Sequence, residues 1–219
     1  MIEVNTKTTP KIKFQSEHRI EQMQSGHIYM KELEYFRRLE MDKGDFDAGD
    51  MAEAIPFSTA YETPSGIPCT LRIMDDTKSN YVMCLMEPTF NNGECIFTDV
   101  QKYKFGEWGE YALIITDVEV LYRRIEDKII EDMKLFKDKV FYYDETQPES
   151  IEQMDMETKG LYTLAFMKRM KYLYQQEYRF VVQSEIIKQD NIIFEIGDIS
   201  DISIKIASKQ LLEEGILLK

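Results

Sequence analysis

Two rhythms of apolar residues divide this chain. Helical spacing picks out residues 31–41, where Leu33, Phe36 and Leu39 recur, and residues 118–136, where Val118, Leu121, Ile125 and Ile129 form one stripe. Asp117 stands where the second of these needs its N-cap. A shorter helix is predicted over residues 16–25, with Gly26 ending it, and GLYTLAFMKRMKYLY (160–174) reads as a helix leading into a strand. Short apolar or alternating runs predict strands at HIYM (27–30), TLRIM (70–74), YVMCLM (81–86), CIFTDV (95–100), residues 111–116, KVFYYDE (139–145) and residues 178–182. Two further β segments, NIIFEIGDIS and DISIKIAS, follow around Asp198 and Asp201, and QLLEEGILLK closes the chain. NNGE (91–94) signals a turn between strands. DKGDFDAGDMAEA (42–54) reads as an acidic loop and QPESIEQMDMETKG (147–160) as an acidic connector. Residues 1–15 read as a polar arm or edge strand carrying a β-like KIKF. Short strands interrupted by a few helices make an α+β class with mixed or antiparallel sheets, in one domain spanning 1–219.

Composition narrows the partners. The hydrophobic fraction of 43% and aromatic fraction of 12% are those of a globular chain of 219 residues. The net charge of -13, with a sequence pI near 4.7, repels phosphate backbones and anionic membranes. Non-specific nucleic-acid binding is therefore not expected, while docking of a basic protein partner on the acidic surface is. No apolar run approaches the roughly 20 residues of a membrane span, and the first residues lack an apolar leader core. Cys69, Cys84 and Cys95 are too scattered for a disulfide framework. A reduced, cytoplasmic setting is expected.

Candidate chemistry is sparse. No dinucleotide fingerprint, phosphate loop, zinc-protease motif or nucleophile elbow occurs, and His18 and His27 alone cannot build a multi-histidine metal site. The acidic loop places Asp45, Asp47, Asp50 and Glu53 close together. Counted from Asp45 as a calcium loop, the glycine position holds Asp50 and the closing glutamate position holds Pro56, so the pattern fails and no metal is expected. Tyr35, Arg37 and Arg38 sit on a helix near this loop, where an arginine can recognise an anion. The remaining cluster is YLYQQEYRFVVQS (172–184). Alternation puts Gln175, Glu177 and Arg179 on one face of a strand, either a solvated face or the floor of a site.

Several stretches together resemble a large prokaryotic and phage family, the domain of unknown function numbered 2971. They include SGHIYMKELEYFRRLE (25–40), YVMCLM (81–86), FGEWGEYALIITD (105–117), KVFYYD (139–144), the run from Phe166 to Phe180, and IGDISDI (196–202). The layout of that family is in turn similar to ADP-ribosyltransferase-like folds, in which a Gln-x-Glu pair opens a late strand. The resemblance implies an NAD-using enzyme, with Glu177 stabilising an oxocarbenium-like transition state and Gln175 orienting the nucleophile. It further implies His27 at the ribose and Ser58 and Thr59 as part of a Ser-Thr-Ser strand, and Tyr35, Arg37 and Arg179 are expected beside them as cofactor contacts. HIYM lacks the threonine of the family's first strand motif, and Ala60 stands at the third position of the Ser-Thr-Ser strand. Two alternatives remain beside the enzyme: a non-catalytic acidic interaction protein in phage–host conflict, and a buried ion-pair network in which the same polar residues lock distant segments.

Overall fold

The computed structural model describes residues 1–43, 59–62, 68–71, 79–144 and 165–219, and the fold is α+β. An eight-stranded sheet organises it, in the order β13 (Asn191–Glu195), β3 (His27–Glu32), β6 (Ser79–Met86), β2 (Lys11–Gln15), β8 (Tyr111–Ile115) and β14 (Ser203–Ala207). On its other edge β6 pairs along its whole length with β12 (Glu177–Ser184), and β12 pairs outward with β9 (Met133–Lys139). These pairings are antiparallel.

Helices cover both faces. On one, α1 (Glu17–Gln24) supplies Ile20 and Met23, and α4 (Val118–Glu126) supplies Val118, Leu121 and Ile125, to a core with Leu113, Phe180 and Val182. On the other, α3 (Asp99–Trp108) and α5 (Ser208–Glu214) pack Phe105, Leu211 and Leu212 against Ile12, Phe14, Ala112 and Ile114. Strand β8, between β2 and β14, therefore buries both faces, which is why Ala112–Ile115 is a continuous apolar run rather than an alternation. Beside α3 the second face is closed by β10 (Phe141–Tyr143) and β11 (Met167–Arg169), a parallel pair whose residues meet Val82 and Val181. Two small sheets complete the described chain: β4 (Thr59–Glu62) with β5 (Pro68–Leu71), and β1 (Ile2–Val4), β15 (Ile216–Leu218) and β7 (Glu94–Cys95).

Several sequence expectations are corrected. Residues 1–15 are not an arm, because β2 lies inside the main sheet between β6 and β8 with Ile12 and Phe14 buried. Strand β3 runs on to Glu32, so α2 (Glu34–Lys43) begins three residues later than Lys31. The long helix expected over 118–136 ends at Glu126, and its last residues, from Met133, belong to strand β9. The amphipathic stripe continued past the point where the chain turns to pair with β12. GLYTLAFMKRMKYLY is no α-helix where described: it gives β11 and then a 3-10 helix, Met170–Gln175. CIFTDV gives only β7 before Thr98 starts α3. Here the Thr98 hydroxyl accepts from the Gln101 backbone N–H at 3.2 Å and the Gln101 side-chain Oε1 accepts from the Thr98 backbone N–H at 3.0 Å, a capping box that fixes the helix start.

Candidate functional site: a locked carboxylate and a cleft in the sheet

Strand β12 carries Glu177, Arg179 and Val181 on the face that looks towards β10 and β11. Arg179 is 1% exposed and Glu177 7%. Such charges are tolerable only when paired and hydrogen-bonded. The Arg179 Nε donates to Glu177 Oε2 at 2.7 Å, and its Nη1 donates to the Ala165 carbonyl at 2.6 Å. The Lys168 ammonium, arriving from β11, pairs with Glu177 Oε1 and donates to Gln175 Oε1 at 2.7 Å. Tyr142 closes the corner by accepting the Glu177 backbone N–H at 2.8 Å. Burial alone would raise the Glu177 carboxyl, but the Arg179 guanidinium and the Lys168 ammonium outweigh it and hold the group well below the usual carboxylate range. Burial, helped by the Glu177 charge, lifts the neighbouring Tyr142 phenol and pushes the Cys84 thiol up to about 12. Cys84 is thus no thiolate nucleophile near neutrality.

Glu177 and Arg179 share a strand face as their spacing implied, whereas Gln175 ends the 3-10 helix and reaches Glu177 through Lys168. The three lie neither on a solvated face nor on an open floor. They form a buried lock. Lys168, which completes it, lies in a run whose pattern predicted helix, so its approach to Glu177 was invisible in the sequence.

A different place gathers His27 and Tyr35. Among the described residues, strand β6 is paired on its open edge only at Tyr81 and Val82, with β3, and at Met86, with β2. Between these points β2 and β3 part, with α1 joining them in the chain, so Cys84 has no strand partner on that edge among the described residues. The Lys13 Nζ donates to the Cys84 carbonyl at 2.9 Å in place of a ladder bond. The split opens a cleft of about 370 Å³. Lys13 from β2, Arg19 from α1 and Lys31 from β3 line it, with Tyr29 and Tyr35. The Arg19 guanidinium stands 5.5 Å from the Tyr29 ring centre and the Lys31 ammonium 4.4 Å from that of Tyr35. His27 lies at the rim, its Nδ1 3.0 Å from the Ser25 hydroxyl and its Nε2 3.4 Å from a Glu195 carboxylate oxygen. No carboxylate side chain lines the cleft among the described residues.

The residues that the resemblance places in one site therefore line two cavities. His27 and Tyr35 belong to the split in the sheet, whereas Glu177 contributes to a separate cavity of about 420 Å³ beside residues 87–90. Arg37 lies within α2, with its side chain outside the description. Ser58 and the acidic residues Asp45, Asp47, Asp50 and Glu53 fall outside the described residues. Among the described residues, no group of His, Cys, Asp and Glu side chains is arranged to hold a metal ion, and no helix is long and apolar enough to cross a membrane. Lys13, Arg19 and Lys31 were missed by sequence reasoning. The available signal was a lysine inside the alternating strand KIKF, where a charge needs a reason.

No family model, curated protein or solved structure matches this chain.

Proposed function

We propose that the protein binds a small organic anion in the cleft between β2 and β3, with NAD as the ligand the sequence resemblance nominates. One observation carries this reading. In a chain of net charge -13, Lys13, Arg19 and Lys31 converge on one concavity with no carboxylate among its described lining. Like charges gathered without counter-charge repel, and a bound anion relieves that repulsion. The volume of about 370 Å³ lies within the range of roughly 300–1,000 Å³ typical of small-molecule sites.

Transferase chemistry finds less support than binding. A carboxylate that stabilises a developing cation on substrate needs an oxygen free to face it. Both Glu177 oxygens are engaged, one by Lys168 and one by Arg179. The acidic surface supports a second reading, a non-catalytic role through a basic protein partner, visible as association that weakens with salt.

A thermal-shift titration with NAD tests the first reading, because a ligand that binds only the native state raises its stability. A saturable shift is expected in the wild type and a weaker one in Lys31→Gln. Identical shifts in both proteins, or none with any anion, would remove the cleft from consideration. NAD breakdown by the wild type that vanishes in a folded Glu177→Gln variant would instead restore the enzyme.

A further inference from the structure

The cleft is not uniform, and its parts differ in chemistry. Lys13 sits on its floor, with its ammonium on the Cys84 carbonyl. Arg19, on the α1 wall, donates to Gln22 Oε1 at 3.3 Å and faces the Tyr29 ring, which is 39% exposed. Lys31, two residues beyond Tyr29 on β3, covers Tyr35, and the Tyr35 and Phe36 rings meet edge to face with centres 5.5 Å apart. Cations thus reach in from three elements, while one wall offers aromatic surface beside the apolar Val82.

We infer that the ligand is a nucleoside di- or triphosphate, its phosphate chain between Lys13, Arg19 and Lys31 and its base against the Tyr35–Phe36 wall. This rests on the reading of the cleft as an anion site and specifies what the anion is. Charge decides the phosphate part. A triphosphate brings close to four negative charges to these cations, whereas NAD carries two, partly cancelled by its own pyridinium. Lysine and arginine ammonium and guanidinium groups suit phosphate oxygens, and none of these three is committed to a carboxylate among the described residues. The aromatic wall decides the base part, because a planar base stacks on a ring whatever its hydrogen-bonding edge. Lys13 has a further consequence. Moving its ammonium onto a phosphate frees the Cys84 carbonyl towards the cleft, an acceptor for a donor group on the ligand.

Calorimetric titration at fixed moderate salt, with ATP, NAD, adenosine and inorganic tripolyphosphate as probes, separates the possibilities. ATP is expected to bind about tenfold or more tighter than NAD, since the extra phosphate charge meets partly solvated cations. It is also expected to bind tighter than tripolyphosphate and adenosine. Lys13→Gln should weaken ATP and tripolyphosphate together, and Lys31→Gln serves if that variant fails to fold. Tyr35→Ala should weaken ATP and leave tripolyphosphate unchanged. Equal affinity for ATP and tripolyphosphate would overturn the nucleotide while leaving the anion cleft standing. NAD binding as tightly as ATP would do the same in favour of the dinucleotide. No binding of any phosphate-bearing probe would overturn both the inference and the reading beneath it.

Discussion

Glu177 shows how one side chain can carry two opposite meanings. In sequence it is the glutamate of a Gln-x-Glu pair; in the fold it is the anion between two buried cations, Arg179 and Lys168. Removing one member of such a group leaves charge buried without compensation, which costs more than the intact group contributes. Glu177→Gln is therefore expected to destabilise the protein by about 3–5 kcal/mol, read from urea unfolding. A catalytic carboxylate in an open site would behave otherwise, since its neutral isostere leaves stability nearly unchanged. A loss under about 1 kcal/mol would argue that the pairs are not what holds β11 against β12. Gln175 joins from the end of a 3-10 helix, but the face shared by Glu177 and Arg179 was legible, because alternation along a strand is local geometry. Its burial was not, because the elements that cover it, β10 and β11, come from residues 141–143 and 167–169.

At the scale of elements, the β2–α1–β3 unit builds the cleft, and its turn is tightly determined. Gly26 ends α1 with φ of 98°, and its carbonyl accepts the Ile196 N–H at 3.0 Å. A Cβ there would lie 2.1 Å from the Gly197 carbonyl oxygen, a contact between backbones that no rotamer relieves. Gly26→Ala should cost about 1–3 kcal/mol from the strained backbone alone, and more from the clash, seen as a lowered melting temperature. Replacing Gly106 tests the contrast: a Cβ there meets nothing within 4 Å, so alanine in the last turn of α3 should be neutral or slightly stabilising. The helix α1 and its glycine stop could be read directly, as could the Asp117 cap, whose carboxylate accepts the Val120 N–H at 3.0 Å. The true end of α4 could not, since the apolar stripe suits a helix and an outer strand alike until the pairing of β9 with β12 decides.

For the whole molecule, the lock should be visible in acid. The Glu177 carboxyl titrates lower in the folded chain than its ordinary value of 4.5, so the folded state binds its proton less readily than the unfolded one. Its contribution is complete above that value and is lost as pH falls through the region below it. Urea midpoints measured from neutrality down to the acid range should thus fall more steeply below pH 4.5 for the wild type than for Glu177→Gln. Parallel curves would mean that other carboxylates govern acid unfolding. Local period and summed composition were enough to read the α+β class, the apolar strands β6, β8 and β12, the start of α4 and the net acidity of the chain. Long-range pairing was needed to turn an expected arm into an interior strand, to enclose Glu177, and to part β2 and β3 so that Lys13, Arg19 and Lys31 line one cleft. Those outcomes depend on which distant segments share an edge of β6, and no stretch of chain carries that choice alone.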